Sequence, residues 1–214
     1  MYTCDLCKDK NCKIGNSEKY PKNCPTRETD NIENLKSLYV EEENHNISYN
    51  SALVESEGYC RKTRLEEIMD FATKCNYKKL GLAFCSGLSE EGKILSKILK
   101  ANGFEVISVM CKNGSIPKEF MGIKEEEKVR PGTYEPMCNP IGQATFLNNS
   151  NTDLNIVLGL CVGHDSLFFK YSNAPATVFA VKDRVLGHNP IAALYLSEGY
   201  YKSKLYPKDK PTID

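Results

Sequence analysis

The chain has 214 residues, 41% hydrophobic and 26% charged, which is enough for one sizeable core or for a core plus a small module. Its 28 basic residues balance 28 acidic ones, so charge gives no reason to expect a nucleic-acid partner or an anionic membrane surface. No apolar run approaches the roughly 18 residues that cross a bilayer, and the start, Met1-Tyr2-Thr3-Cys4, lacks a secretory signal. We therefore expect a cytoplasmic protein.

Ten cysteines are many for that compartment. Reducing thiol pools disfavour structural disulfides there, so clustered thiols more often bind metal or take part in chemistry. Thiolate ligands favour soft or borderline metals such as zinc, or iron in clusters.

Residues 1–28 are predicted to form a cysteine-rich metal-binding module. They contain many lysines and almost no aliphatic residues, so they cannot fold by burial alone. The cysteine spacing is C-x2-C-x4-C-x11-C, and four thiols complete either a tetrahedral zinc site or the corners of an iron–sulfur cluster. The predicted metal ligands are Cys4, Cys7, Cys12 and Cys24. The spacing leaves zinc and iron–sulfur both open.

Residues 29–77 show helical periodicity and are predicted to form a helical region. Thr63 and Glu66 make a capping box at the start of one of its helices. Cys60 and Cys75 fall on or beside these helices, and we assign them no role beyond that of core or peripheral thiols.

Residues 78–201 alternate short apolar runs with helical patterns, which is typical of an α/β domain. The predicted strands are 80–84, 104–110, 155–160 and 176–181. Asn139-Pro140 opens one of the helices between them, with asparagine as the cap. The prediction is a small parallel or mixed sheet of about four strands with flanking helices. Residues 112–137 read as a long surface excursion and 202–214 as a flexible tail.

Two stretches of this domain resemble each other. Cys85-x-Gly87 ends the first predicted strand and Cys161-x-Gly163 ends the third, each ahead of a Ser or Asp that we predict to cap a helix. Each half later places a ligand-type residue, Cys138 or His188, directly before Asn-Pro-Ile. The recurrence predicts an internal duplication around a pseudo-twofold axis.

Four cysteines lie next to the ends of predicted elements. Because ligands bind beyond the carboxyl ends of strands in open α/β sheets, we expect these thiols to converge in one crevice. All four could bind a [4Fe–4S] cluster, or three could bind it and leave one iron open to a substrate. The predicted cluster ligands are Cys85, Cys111, Cys138 and Cys161. Polar residues on the same rim are predicted as catalytic candidates: His164, Asp183, Arg184 and His188. Lys182 and Arg184 could also bind an anionic group of a substrate.

Residues of the same crevice suggest two other chemistries. A hydrolase built on Ser86, His164 and Asp183 is disfavoured, because Ser86 lacks a nucleophile-elbow sequence. A thiol enzyme with Cys161 as nucleophile at a helix N-terminus stays open, since that position favours thiolate. No glycine-rich phosphate-binding motif is present in the sequence.

The chain also resembles a known cysteine-rich family, domain of unknown function 1847. The resemblance is carried by the N-terminal cysteines, by residues 159–168 (GLCVGHDSLF) and by residues 182–190 (KDRVLGHNP). It implies metal binding without an established reaction. It adds weight to Cys161, His164, Asp183, Arg184 and His188 as site residues.

The leading hypothesis is an iron–sulfur protein that performs redox or sulfur chemistry on a small molecule, with a small molecule or a redox protein as its partner. The alternative is a zinc-binding protein without enzymatic activity that binds a ligand or partner. The sequence does not decide whether the protein is an enzyme.

Overall fold

The computed structural model describes residues 1–206 and divides the chain into two compact units, Met1–Arg61 and the part from Lys62 onward. The predicted tail at 202–214 lies largely outside the described residues. Its first part forms a short helix, Lys202–Leu205.

The first unit is built from short 3-10 helices followed by two α-helices. The 3-10 helices are Cys4–Leu6, Asn11–Ile14, Ser17–Lys19 and Pro25–Arg27. They are followed by α1 (Thr29–Tyr39) and α2 (Glu42–Gly58). Within residues 1–28 only Asn11 is buried, so burial of apolar side chains contributes little to this segment.

The second unit alternates helices and strands. In chain order these are α3 (Arg64–Lys74), β1 (Lys79–Phe84), α4 (Ser89–Ala101), β2 (Glu105–Met110), α5 (Pro140–Asn149), β3 (Leu154–Leu158), α6 (His164–Tyr171), β4 (Ala176–Ala180), α7 (Ile191–Tyr195) and α8 (Lys202–Leu205). The boundary between units precedes α3, so α3 belongs to the α/β unit rather than to the helices before it.

The four strands form one sheet in the order β2-β1-β3-β4, and every neighbouring pair is parallel. The predicted α/β class is confirmed, and the sheet is parallel rather than mixed. β3 ends at Leu158, two residues before its predicted end, because Gly159 adopts a φ of +66° that an extended strand does not allow.

The core lies on both faces of the sheet. Leu80 and Leu82 of β1 join Leu95 and Leu99 of α4 on one face, together with residues of α3. Ala83 of β1 joins a second cluster with Ala144 and Leu147 of α5 and Phe168 of α6. The result is a three-layer α/β/α arrangement, which explains why β1 reads as a continuous apolar run.

Two helices begin with the side-chain caps that the sequence predicts. Glu66 donates its backbone N–H to the Thr63 hydroxyl, and its carboxylate accepts from the Thr63 N–H, so the capping box is confirmed. The Asn139 side chain accepts from Gly142 N–H at 2.9 Å. The caps predicted at Ser89 and Asp165 are wrong, since both residues lie inside the first turn of their helices.

The strand order fits the predicted pseudo-twofold relation. β1 and β3 are the central pair, and the units β1-α4-β2 and β3-α6-β4 run outward from it in opposite directions. Right-handed crossovers then put α4 and α6 on opposite faces of the sheet. The core clusters agree, since α4 packs in the first cluster and α6 in the second.

None of the helices described in residues 1–206 has the length and apolar character needed to span a membrane.

Candidate functional site

The carboxyl ends of the central strands carry the site. Cys85 follows β1 and donates its N–H to Leu158 O at 3.1 Å, while Cys111 follows β2 and donates to Phe84 O at 2.9 Å. The strand ladder thus continues one residue beyond each strand and fixes both cysteines at one edge of the sheet. This edge, between β1 and β3, is where chain connections leave in opposite directions and where α/β folds bind ligands.

Cys138 reaches the same edge from the segment before α5. Asn139 donates its N–H to Cys111 O at 2.7 Å, so residues 138 and 139 run beside Cys111. The side chains of Asn113 and Asn139 are joined by a 3.0 Å hydrogen bond, and Asn113 also donates to Asn139 O. This pair holds the start of α5 against the turn after β2.

Gln143 is a supporting residue that the sequence analysis missed. Its side chain is fully buried, and its amide donates to Phe84 O at 3.2 Å and to Val109 O at 2.7 Å. The Phe84 carbonyl directly precedes Cys85, and the Val109 carbonyl directly precedes Met110. Both therefore lie at the ends of β1 and β2. A glutamine in a helix usually indicates an exposed face, so no local signal points to this role.

Cys111 shifts the pKa values of Cys85 and Cys138 in opposite directions. Cys85 donates to Cys111, and this contact together with burial raises the pKa of Cys85 to about 12. Cys111 donates to Cys138, and this bond together with the nearby Lys112 ammonium lowers the pKa of Cys138 to about 6. Cys138 is therefore thiolate at neutral pH, while Cys85 keeps its proton.

The four predicted cluster cysteines lie at two depths. Cys85 is 8% exposed and Cys111 2% exposed, and both pack in the hydrophobic cluster that contains Phe168. Cys138 and Cys161 are half-buried and line a cavity of about 1010 Å³. Only these two sulfurs are therefore open to a small molecule in the cavity.

Cationic side chains surround the open thiols. Arg184 Nη2 donates to Cys161 Sγ at 3.2 Å, and this contact raises the pKa of Arg184. Lys112 Nζ donates to Pro136 O at 2.6 Å and lies close enough to favour the Cys138 thiolate. Lys182 also lies near Cys85, whose thiolate form it favours.

Asp183 and His188 occupy the loop that carries Arg184 and do not line the cavity. Asp183 Oδ1 accepts from the N–H groups of Val185 and Leu186, both at 2.9 Å. The Asp183 N–H donates to His188 Nδ1 at 3.1 Å, and His188 holds a φ of +66°. These two side chains therefore hold the tight loop in which Arg184 stands.

His164, the first residue of α6, lines the cavity. Its Nδ1 is buried and has no hydrogen-bond partner within residues 1–206. Burial first, and then the Lys112 charge, lower the pKa of His164 below its usual 6.5. The imidazole is therefore neutral at neutral pH, and its buried Nδ1 has no partner among the described residues.

The excursion between β2 and α5 forms the outer wall of the cavity. It contains three short 3-10 helices, Asn113–Ser115, Lys118–Met121 and Glu125–Glu127. Lys118 pairs with Glu135 at 2.5 Å, and the buried Lys128 pairs with Glu119 at 2.5 Å and Glu125 at 2.6 Å. These ion pairs order a segment that has almost no regular secondary structure.

In the N-terminal unit, Cys4, Cys7 and Cys24 line one cavity of about 320 Å³, whereas Cys12 does not. Nowhere in residues 1–206 do three or more Cys, His, Asp or Glu side chains stand in an arrangement that would hold a metal ion. All ten cysteines are free, Cys60 being exposed and Cys75 buried.

Fold and site together define a parallel α/β protein with a thiol-lined crevice at the carboxyl ends of its central strands. The chain belongs to the family described as "Protein of unknown function (DUF1847)", whose sequence model matches residues 24–179. It is also 48% identical over 202 residues to the "Uncharacterized protein MJ0455" of Methanocaldococcus jannaschii, an alignment that covers 94% of this chain and 97% of that protein. No solved structure matches the chain.

Proposed function

We propose that this protein performs redox or sulfur chemistry on a small molecule in the crevice, with the Cys138 thiolate as the reacting group. The observation that carries the proposal is a thiol with a pKa of about 6 on the wall of a cavity of about 1010 Å³. Thiolate is the nucleophilic and oxidisable form of cysteine, and a reactive cysteine needs both that charge state and access.

The neighbouring side chains support the same reaction class. Lys112 and Arg184 line the cavity and would bind an anionic group of the substrate. His164 lines the cavity, and its neutral imidazole would exchange a hydrogen bond or a proton with the bound molecule. The apolar part of the wall, including Ile141 and Leu167, would exclude water from the sulfur.

The predicted [4Fe–4S] cluster is a different proposal for the same thiols. Ligation by all four cysteines would require Cys85 and Cys111 to leave the hydrophobic cluster in which they pack. The side chains as arranged therefore do not fit a four-thiolate cluster, and we derive no step through one. The prediction is tested by the metal analysis described below.

Alkylation kinetics test the reactivity of Cys138. At pH 6, a thiol of pKa about 6 is half thiolate, and after allowance for its lower intrinsic nucleophilicity it should react about tenfold faster than a reference cysteine peptide. Reduced, metal-free protein is treated with iodoacetamide and the labelled peptides are identified by mass spectrometry. Cys138 should be labelled first.

Two variants serve as controls for this measurement. Cys138→Ser should abolish the fast phase, and Cys60→Ser, which changes an exposed thiol of the other unit, should leave it unchanged. Fast labelling of Cys161 in place of Cys138 would contradict the assignment and favour Cys161 as the nucleophile.

We also propose that the N-terminal segment binds a metal, either zinc or an iron–sulfur cluster. Three of its four cysteines line one cavity, and residues 1–28 bury no apolar side chain that would stabilise them otherwise. Binding would draw Cys12 toward Cys4, Cys7 and Cys24, and would supply folding free energy that this segment lacks.

Metal content of protein purified without oxygen tests both metal proposals. Iron, acid-labile sulfide and zinc are measured per chain for the wild type, for Cys4→Ser/Cys7→Ser and for Cys138→Ser/Cys161→Ser. Metal lost only in the first variant belongs to the N-terminal segment, and metal lost only in the second belongs to the crevice. About one zinc and no iron would support the zinc alternative, and no metal in the wild type would contradict both proposals.

We place this chemistry in the cytoplasm, where a reducing thiol pool keeps ten cysteines free. The partner is then a small molecule or a redox protein. The balance of 28 basic and 28 acidic residues argues against a nucleic acid or an anionic membrane.

A further inference from the structure

Cys111 and Cys138 are neighbours that differ in access. The 2.7 Å hydrogen bond from Asn139 N–H to Cys111 O holds the two chain segments side by side, and Cys138 packs against the hydrophobic cluster that contains Cys111. Cys138 lines the cavity, while Cys111 lies behind it at 2% exposure. A molecule entering the cavity meets the Cys138 sulfur and the side chain of Ser86, and the Cys111 sulfur lies in contact with Ser86.

The surroundings of Cys111 suit a thiol that reacts second. Ser86 donates its backbone N–H to Cys111 Sγ at 3.3 Å. A backbone donor of this kind fixes the position of the Cys111 sulfur, which would attack the neighbouring sulfur. Cys85 lies on the other side of Cys111 and keeps its own proton in contact with it.

The cavity limits the reagent that can reach Cys138. A volume of about 1010 Å³ suits a small molecule. Lys112 and Arg184 bring positive charge to the wall that holds the thiol, whereas Tyr134, Pro136 and Leu167 supply apolar surface. The matching substrate is compact and carries a carboxylate or similar anionic group.

We propose that Cys138 and Cys111 form a dithiol that reduces low-molecular-weight disulfides bearing a carboxylate, through an intramolecular Cys111–Cys138 disulfide. The inference rests on the proposed function, because it needs Cys138 as the reacting sulfur. It adds the substrate class and a role for Cys111.

The reaction proceeds in two exchanges. The Cys138 thiolate attacks one sulfur of the substrate, which breaks the substrate S–S bond, forms a mixed disulfide and releases the first small thiolate. Cys111 loses its proton to solvent and attacks Cys138 Sγ, which breaks the mixed disulfide and releases the second small thiolate. The substrate gains two electrons and two protons, the protein loses two electrons as its disulfide forms, and an external dithiol reductant restores the protein.

The test uses the reduced full chain and a pair of disulfides of similar size. Dithiodiglycolate is anionic, and bis(2-hydroxyethyl) disulfide is neutral. Release of small thiol is followed with time, and unreduced peptides are mapped by mass spectrometry. We expect linked Cys111 and Cys138 peptides, and a rate about tenfold higher for the anionic reagent, a preference that Arg184→Met should reduce.

Variants separate the two steps. Cys111→Ser should stop at a mixed disulfide on Cys138, detected as the added mass of half the reagent, while Cys60→Ser should behave as the wild type. If Cys111→Ser does not fold, as judged by circular dichroism, the wild-type peptide map still decides the question.

Each of the other possible results contradicts one part of the proposal. A mixed disulfide that persists in the wild type, or a Cys85–Cys111 link, overturns the dithiol and leaves the reactive Cys138 intact. Equal rates with both reagents overturn the substrate class. Unmodified Cys138 in every protein would refute the proposed function itself.

Discussion

Cys138 shows how far a single thiol can depart from its ordinary chemistry through contact with its neighbours. Its pKa of about 6 reflects first the hydrogen bond donated by Cys111 and then the charge of Lys112, and together these outweigh the effect of burial. Cys85, on the other side of Cys111, has a pKa of about 12 because it is the donor in its own bond. One shared neighbour thus divides two thiols into a thiolate and an inert thiol.

This arrangement predicts a change in the pH dependence of Cys138 when Cys111 is altered. Alkylation of Cys138 should rise with pH around a midpoint near 6, since only the thiolate reacts. Cys111→Ala removes the donor and should raise the midpoint by about one unit, because a hydrogen bond to a charged group is worth about 1.5 kcal/mol or more. Cys111→Ser keeps a donor and should shift the midpoint less. An unchanged midpoint in Cys111→Ala would show that Lys112 alone sustains the thiolate.

Asp183 and His188 differ from Cys138, because their side chains accept hydrogen bonds from backbone N–H groups and do not line the cavity. Both were predicted as catalytic candidates because they follow a strand in a polar motif. In the structure their side chains bond N–H groups of their own loop, at 2.9 Å and 3.1 Å. Arg184, the next residue after Asp183, contacts Cys161 directly.

At the scale of elements, α5 joins the crevice to the sheet. Asn139 caps the helix and also borders Cys138, while Gln143, one turn further along, bonds the carbonyls of Phe84 and Val109. The helix therefore closes the gap between β1 and β2 at the point where Cys85 and Cys111 leave the strands.

Replacement of Gln143 by methionine should destabilise the second unit. The change keeps a similar volume but removes a donor to Val109 O and the second donor to Phe84 O, which still accepts from Cys111 N–H, so we expect a loss of about 1 kcal/mol in the free energy of unfolding. Urea denaturation measures the effect, with Thr145→Met as the control, since Thr145 is an exposed position of the same helix. Equal stability of the two variants would mean that water or the ladder satisfies those carbonyls.

At the scale of the whole molecule, the strand order creates the site. Cys85 and Cys161 are far apart in the chain, yet β1 and β3 are adjacent in a register that pairs Phe84 with Leu158. The segment before α5 adds Cys138, and the loop after β4 adds Arg184. Every residue of the crevice lies in the unit that begins at Lys62.

Much of this architecture follows from short stretches of sequence. The apolar run of β1, the Thr63 capping box and the Asn139-Pro140 helix start each depend on neighbours a few residues away, so local patterns predict them. The parallel α/β class follows, since alternating strands and helices impose crossovers. Family membership was likewise recognisable from the motifs around Cys161 and His188.

Only the tertiary structure decided which thiols are open and which are buried. Cys85, Cys111 and Cys161 have similar positions after strands, but their exposure and contacts depend on atoms brought in from remote segments: Cys138 from the outer wall, Arg184 from the last loop and Phe168 from α6. The support of Gln143 and the loop formed by Asp183 and His188 were equally hidden. Burial and hydrogen bonding between distant residues leave no periodic trace in a sequence, whereas secondary structure does.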